Sequence, residues 1–485
     1  MHKSIEKILL LVPPAISSKI VRDVNPLPPI GLGYLASVIR EEGLQVNICD
    51  CLLQGWNQEE EISKNLIKVG LSDYQIAKVL MEYDPDIVGV SCQFSRQNQI
   101  YHRLFKLIKN TNRDIITIAG GSHVTVCPEE ILKDENCDYI ILGEGEVSIR
   151  QFIHAVTKRY KFNEIDGFGW KENGVVKINK KQSWIKDLDT ISWPAYDLIG
   201  LEKYFGIERS HGKRKKERFC PIITSRGCPA NCTFCSAKKV WGKKFRVRSI
   251  ENVINEMKYL KKEFGIEEIL FEDDNVTANP KRAKQLFERM IDEDLGFVWD
   301  TPNGVGVWSI DQSILNLMKA SGCLKVNFPV ESGSQRVLTE IIRKPIQLKK
   351  VEALIGHCRN IGLPYGMFLV IGMPGETVND IWESFKFSAK CKCYNPHISV
   401  ATPYPGTELF EGCIENNYFA KVFEFDDLFI RSYMIRTENW DENDLRKILV
   451  KGRLYLIIKA LFEDPVFIIK KLYEKVKILK LFCKT

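Results

Sequence analysis

An α/β fold built from two parallel-sheet units and closed by helices is what this 485-residue sequence predicts. Three observations carry it. Short apolar runs alternate with amphipathic stretches from residue 7 to about 150, and again from Pro221 onward. The loops after those runs are rich in glycine and polar residues, where open sheets and barrels of this class hold ligands. Past Glu438 the alternation stops and helical patterns remain.

The first unit spans residues 1–150. Its candidate strands are Ile8–Val12, Gln45–Cys49, Ile87–Ser91, Ile115–Ala119 and Tyr139–Leu142, and Ile30–Glu41 and Tyr74–Glu82 are amphipathic. Five strands alternating with helices make a flavodoxin-like, Rossmann-like sheet whose ligand crevice lies beyond the strand carboxyl ends. Pro28-Pro29-Ile30-Gly31-Leu32-Gly33 opens the first helix. Gly120-Gly121-Ser122-His123 follows the fourth strand and Gly143-Glu144-Gly145-Glu146 the fifth. Glycine there lets backbone approach a ligand, although one glycine after a strand is ordinary turn chemistry.

Residues 151–215 read as a linker with a small hairpin, Glu164–Trp170 with Gly174–Ile178. Six strands follow within 216–437: Pro221–Thr224, Glu268–Phe271, Trp299–Gly304, Lys325–Val330, Tyr365–Val370 and His397–Ala401. Helical patterns such as Glu251–Glu263 and Lys281–Glu293 separate them, as in a partial (β/α)6 barrel. The tail, 438–485, holds two amphipathic patterns, Leu445–Phe462 and Val466–Phe482, broken at Pro465.

Composition narrows the function. Apolar residues make up 45% of the chain, enough for a large core. No run of about 18 uncharged apolar residues is present, so no membrane span is expected. The N-terminal run Ile8–Val12 is too short for a span and lacks a small-residue cleavage site, so no signal peptide is expected and it reads as a buried strand. Fifteen cysteines without an export signal suit reduced thiols and a cytoplasmic protein. A net charge of +7 is mild for this length, and Lys213-Arg214-Lys215-Lys216 reads as a solvated loop, so no nucleic-acid partner is expected.

The chemistry is concentrated in Ser225-Arg226-Gly227-Cys228-Pro229-Ala230-Asn231-Cys232-Thr233-Phe234-Cys235. Cys228, Cys232 and Cys235 are spaced C-x3-C-x2-C after the first barrel strand. Three thiolates can hold three irons of a [4Fe–4S] cluster and leave the fourth open to a substrate. Structural zinc would need a fourth ligand, for which Cys220 and His211 are near in sequence.

This segment resembles the radical SAM superfamily motif C-x3-C-x-φ-C, with Phe234 as the aromatic. The resemblance implies a [4Fe–4S] cluster on the three cysteines. It also implies S-adenosylmethionine on the open iron and reductive cleavage to a 5′-deoxyadenosyl radical. Four later segments fit the same family in order: Phe271–Thr277, Val330–Ser334, Leu369–Thr377 and Thr402–Leu409. By resemblance, Phe234 and the cluster loop meet S-adenosylmethionine, and Asp274 and Asn275 its amino end. Glu331 and Ser332 take its ribose or methionyl part, and Gly372 to Glu376 its adenine side. Phe328-Pro329-Val330 departs from the commoner Gly-Ile/Val before Glu-Ser-Gly.

The first 150 residues resemble the cobalamin-binding domain found ahead of many radical SAM barrels. That implies cobalamin contacts from Gly31, Ser91, Gly120, Gly121, His123, Gly143, Glu144 and Gly145. The Asp-x-His-x-x-Gly motif that supplies a cobalt-ligating histidine elsewhere is missing from the seven histidines here. His123 is the nearest substitute and reads as a satisfied loop histidine.

The function implied is a cobalamin-dependent radical SAM methyltransferase acting on an unactivated carbon of a small-molecule or lipid-like substrate. An external electron donor of flavodoxin or ferredoxin type is implied too. A cyclase or C–C bond-forming enzyme shares every motif quoted, and a zinc-stabilised binding protein without catalysis is the reading from another class. Methylthiolating relatives carry a second cluster in the N-terminal domain, where Cys49 and Cys51 are the only close pair here. Residues 466–485 carry six lysines against one acid. That pattern suits peripheral membrane contact or a helix packed on the barrel with its lysines in water.

Overall fold

The computed structural model describes residues 5–20, 22–157, 161–207, 215–429 and 432–469. His211, Lys213, Arg214 and the tail beyond Ile469 lie outside the described residues.

Seven strands form the first sheet: β1 (Lys7–Val12), β2 (Gln45–Asp50), β3 (Ile87–Ser91), β4 (Ile116–Gly120), β5 (Tyr139–Ile141), β6 (Phe168–Glu172) and β7 (Val175–Ile178). Their order is β7-β6-β5-β4-β3-β1-β2. The five predicted strands are parallel in the flavodoxin-like order 2-1-3-4-5. The hairpin expected in the linker is present but does not stand alone. β6 pairs antiparallel with β5, so the sheet extends past residue 150 to Ile178. A three-stranded antiparallel sheet, Ala15–Ser18 with Leu66–Val69 and Glu59–Ser63, was not foreseen. Glu59–Ser63 is exposed along its length, so it has no apolar alternation to read.

Helix α1 (Ile30–Glu41) lies on this sheet and takes the predicted bounds. The connector folds over it. Ala195 donates its N–H to the Gly33 carbonyl at 3.0 Å, and Ser37 donates to the Trp193 carbonyl at 2.6 Å. A Cβ on Gly33 would stand 2.7 Å from Ile199 and 2.8 Å from Pro194, so glycine sets the distance between helix and connector.

The barrel is two parallel three-stranded sheets. The first holds β8 (Phe219–Ile222), β9 (Glu268–Phe271) and β10 (Val298–Asp300); the second holds β11 (Val326–Glu331), β12 (Tyr365–Ile371) and β13 (His397–Val400). An isolated parallel bridge, Trp299 to Cys323, joins the two sheets. β10 stops short of the expected Gly304 because Thr301-Pro302-Asn303-Gly304 turns the chain, with Gly304 at φ +81°. The core is not divided at the sequence boundary. Ile30 and Tyr34 of α1 belong to the same buried cluster as Tyr196, Ile199 and the barrel interior.

Two substitutions on α1 should move stability in opposite directions. Gly33→Val overpacks the connector and should cost about 1–3 kcal/mol. Gly31→Ala, with no atom within 4 Å of the added carbon, should gain about 0.5–1 kcal/mol. Denaturant melts of the two variants measure both signs.

Candidate active site

The cysteine loop leaves the C-terminal end of β8. Buried Asp273 fixes its base, accepting from the Thr224 hydroxyl at 2.8 Å, the Thr224 N–H at 3.1 Å and the Ser225 hydroxyl. Arg282 donates to the Thr224 carbonyl at 3.0 Å. Gly227 then turns at φ +87°, where a Cβ would lie 2.6 Å from the Lys244 carbonyl oxygen. Side-chain residues rarely adopt this φ, and none fits that gap. Farther along, the Thr233 N–H donates to the Ile342 carbonyl at 3.1 Å and Leu409 donates to Thr233 at 3.0 Å.

Cys228, Cys232 and Cys235 come together closely enough to act on one another's ionisation. Burial raises all three thiols, Cys232 to about 12. The opposing cation is Lys344, buried and held at 2.6 Å by Glu331. Among the described residues no three His, Cys, Asp or Glu side chains stand in metal-holding geometry, so the three thiols share a neighbourhood without a preformed site. A cationic metal centre would displace their protons, and thiolates are the donors that iron–sulfur clusters take. Cys220 is not a fourth ligand. It lies in the core beside Tyr196 and Glu256, and its thiol donates to the Pro221 carbonyl.

The other residues expected at S-adenosylmethionine line the barrel's C-terminal end. Asp274 has an unpartnered buried oxygen, and burial with Asp273 alongside lifts its carboxyl to about 6. Asn275 accepts from Gly306 and Thr277 and leaves its buried amide nitrogen unpartnered. Phe234 packs half-buried against the barrel core. Glu331 is left-handed at φ +70°, a costly conformation for a side-chain residue and one that clusters at functional sites. Ser332 is fully buried and caps Ser334 at 3.2 Å. Gly372, at φ +83°, and Met373 donate to the Glu376 carboxylate at 2.7 and 2.8 Å. Burial lifts Glu376 to about 8 and leaves its second oxygen unpartnered.

Opposite stands the ligand end of the first sheet. Gly121 at φ +118° and Gly143 at φ +65° shape its two loops. A carbon added at Gly120 would stand in ordinary contact, 3.7 Å from the Ile141 carbonyl oxygen. Gly145 caps the helix Glu146–Val156, and Ser91 ends β3 beside Gln93. Phe94, next in that loop, is 70% exposed.

Two residues expected at cobalamin have other work. His123 is fully buried, with Nδ1 at 2.9 Å from the Ser95 hydroxyl and Nε2 at 2.8 Å from Asn98 Oδ1. Burial lowers it to about 4, so it stays neutral with both nitrogens engaged and offers no lone pair to cobalt. Glu144 is buried between Arg226 at 3.0 Å and Arg246 at 2.7 Å, and Ile185 donates to it at 2.9 Å. Glu146 takes the other arm of Arg226 at 2.5 Å. The glycine–glutamate loop is therefore bolted to the residue two before Cys228. Arg226, Arg246 and Lys344 were missed because a lone basic residue carries no spacing signal; Arg226 had only its place in the cysteine loop to mark it.

The two ligand ends thus face each other. A Cβ on Gly143 would lie 3.1 Å from the Val240 carbonyl, in the helix α2 (Ala237–Val240) that follows Cys235. A Cβ on Gly406 would lie 2.7 Å from Val126. Family models match both parts of the chain: B12 binding domain over residues 20–153 and Radical SAM superfamily over 222–388. The cytidylyl-2-hydroxyethylphosphonate methyltransferase of Streptomyces wedmorensis is 32% identical, across 92% of this chain and 89% of that protein. An uncharacterised methyltransferase of Pyrococcus horikoshii is 34% identical across 96% of each. The chain belongs to the cobalamin-dependent radical SAM methyltransferase family. Its fold is shared by TsrM of Kitasatospora setae, a radical S-adenosylmethionine methyltransferase solved with cobalamin and a [4Fe–4S] cluster. The TM-score is 0.68 at 16% identity, covering 86% of this chain and 79% of that one. Family membership makes the chain an enzyme and removes the non-catalytic zinc protein.

Removing the Arg226 cation should be costly. Arg226→Met strands Glu146 in the interior, and breaking a buried pair of this kind costs about 3–5 kcal/mol. The net effect of Arg226 is to hold Glu146 below its ordinary 4.5, against burial. A carboxylate depressed in the fold adds stability above that ordinary value and loses it as pH falls through the folded one. The gap between parent and variant in urea melts should therefore be widest near neutrality and narrow below about pH 4.5.

Proposed function

We propose that this enzyme methylates a carbon atom of a small-molecule substrate lying between the two facing ligand ends. The supporting observation is the closure of the glycine loops of the first sheet onto the segment that carries Cys228, Cys232 and Cys235. In this reading the three thiolates bind a [4Fe–4S] cluster. Asp274, Asn275, Glu331 and the Gly372–Glu376 loop shape the S-adenosylmethionine side, with Phe234 and Ser332 behind them. Gly31, Ser91, Gly120, Gly121, Gly143 and Gly145 form the backbone wall of the cobalamin side, and Glu144 and His123 hold that wall in place. Once bound, these groups supply a 5′-deoxyadenosyl radical to abstract hydrogen and a methyl group to replace it.

The chain's own residues do the positioning. Asp273, Thr224 and Ser225 orient the cysteine loop. Lys344, among the cysteines, offsets the negative charge of bound thiolates. Burial of Asn275 and Glu331 keeps water from the reacting space. The Streptomyces relative acts on a cytidylyl phosphonate, so an anionic small molecule is the first class to test. An external one-electron donor of flavodoxin or ferredoxin type completes the proposal. So do a cytoplasmic setting and peripheral membrane contact through the C-terminal helices.

The test is anaerobic purification with cluster reconstitution and added hydroxocobalamin, followed by metal analysis and assay of 5′-deoxyadenosine and product mass. About four irons and one cobalt per chain are expected. Deoxyadenosine should be lost in Cys232→Ala, and each turnover should add one methyl group to the substrate. Iron and deoxyadenosine without cobalt would remove methyl transfer, and zinc without deoxyadenosine would remove the radical chemistry.

A further inference from the structure

The helix α4 (Glu442–Glu463) is apolar on two faces. Leu445, Ile448, Leu449, Gly452, Leu456 and Ala460 are buried. That face packs on the helix α3 (Val378–Lys390), where Gly452 presses against the Phe385 ring and allows no Cβ. The opposite face carries Val450, Leu454, Ile457, Ile458, Leu461 and Phe462, exposed by between 43% for Ile458 and 85% for Phe462. Val450, Leu454, Ile457 and Leu461 recur at i, i+4, i+7 and i+11, a continuous stripe along the outside of the helix. Val466 and Ile469 extend it beyond Pro465. A helix satisfied by one packed face would show lysines to water here, so the second stripe calls for a second cover.

Charge says what kind of cover. The acids of the helix lie at its ends, where Glu442 pairs with Arg446 and Glu463 with Lys459, and between those pairs Lys447, Lys451 and Arg453 are all basic. Lys447 and Lys451 are exposed and form no ion pair among the described residues. Residues 470–485 add six lysines and one glutamate by sequence. A second copy of the chain would bring this basic set against itself, which like charges resist. An anionic lipid surface takes both parts at once, the apolar stripe at the acyl boundary and the lysines among the headgroups.

We propose that the outer face of α4 docks the enzyme on an anionic membrane surface, lying in its plane without crossing it. No helix among the described residues is long and apolar enough to cross a membrane. The surface stands apart from the cysteine loop and does not depend on the reaction proposed above.

Vesicle flotation of the full chain tests this, with phosphatidylglycerol–phosphatidylcholine vesicles against phosphatidylcholine alone. Flotation with the anionic vesicles only, weakened by salt, is expected. The double variant Ile457→Glu/Leu461→Glu should lose roughly tenfold in bound fraction. Its melting temperature should stay unchanged, because both side chains are exposed. Lys447→Ala/Lys451→Ala should weaken binding less and remove part of the salt dependence. Absence of flotation by the parent chain overturns the proposal, as does equal, salt-insensitive flotation with both vesicle types. Sedimentation velocity adds an arm: a parent dimer that the glutamate pair converts to monomer makes the cover a second copy and also overturns it.

Discussion

The architecture of the site depends on one buried charge. Arg226 sits between the first barrel strand and the cysteines, and its two arms reach Glu144 and Glu146 on the loop that ends the first sheet. Burying a guanidinium and two carboxylates is tolerable only because each is paired and hydrogen-bonded. Arg246 and the Ile185 N–H complete the set around Glu144. The Arg226 guanidinium also lies 5.2 Å from the ring centres of Tyr34 and Trp241. One side chain thereby sets the separation of two ligand ends that come from different sheets.

Around that anchor the barrel mouth holds polar groups in an unusually incomplete state. Asp274, Asn275 and Glu376 each keep a buried atom without a partner. Buried polar groups normally find partners, and exceptions call for an explanation. Three at the C-terminal end of one barrel, beside three raised thiols, describe a surface shaped for a polar, charged guest. The left-handed Glu331 belongs to the same set, held in place by Lys344.

The regular parts of this molecule were legible because burial leaves a period. β1, β3 and β12 are apolar runs sealed in sheets, and α1 and the barrel helices show helical spacing. The motif glycines were legible too, since Gly121, Gly227 and Gly372 stand where positive φ or close backbone contact requires them. What escaped were pairings between distant positions. The strand Glu59–Ser63 is exposed and charged, and β6 looks like any short hairpin until β5 accepts it. Glu144 and His123 were legible as loop residues, but the direction of a side chain depends on partners eighty or twenty-five residues away, and no local pattern encodes that. The tail was legible as amphipathic; that its helix has two apolar faces emerged only when one of them met Phe385.

The undivided core has a consequence for how such a chain could be taken apart. Ile30 and Tyr34 belong by sequence to the first unit, yet they are buried with Tyr196, Ile199 and the barrel interior. Scission after β7 would strip both of their cover and uncover the matching barrel surface, leaving two fragments with sticky flanks. Swapping one half for that of a relative would therefore mean carrying over the α1 face and the 193–199 segment as a pair. The unit that evolution can exchange is larger than the unit that the alternation of strands and helices marks out.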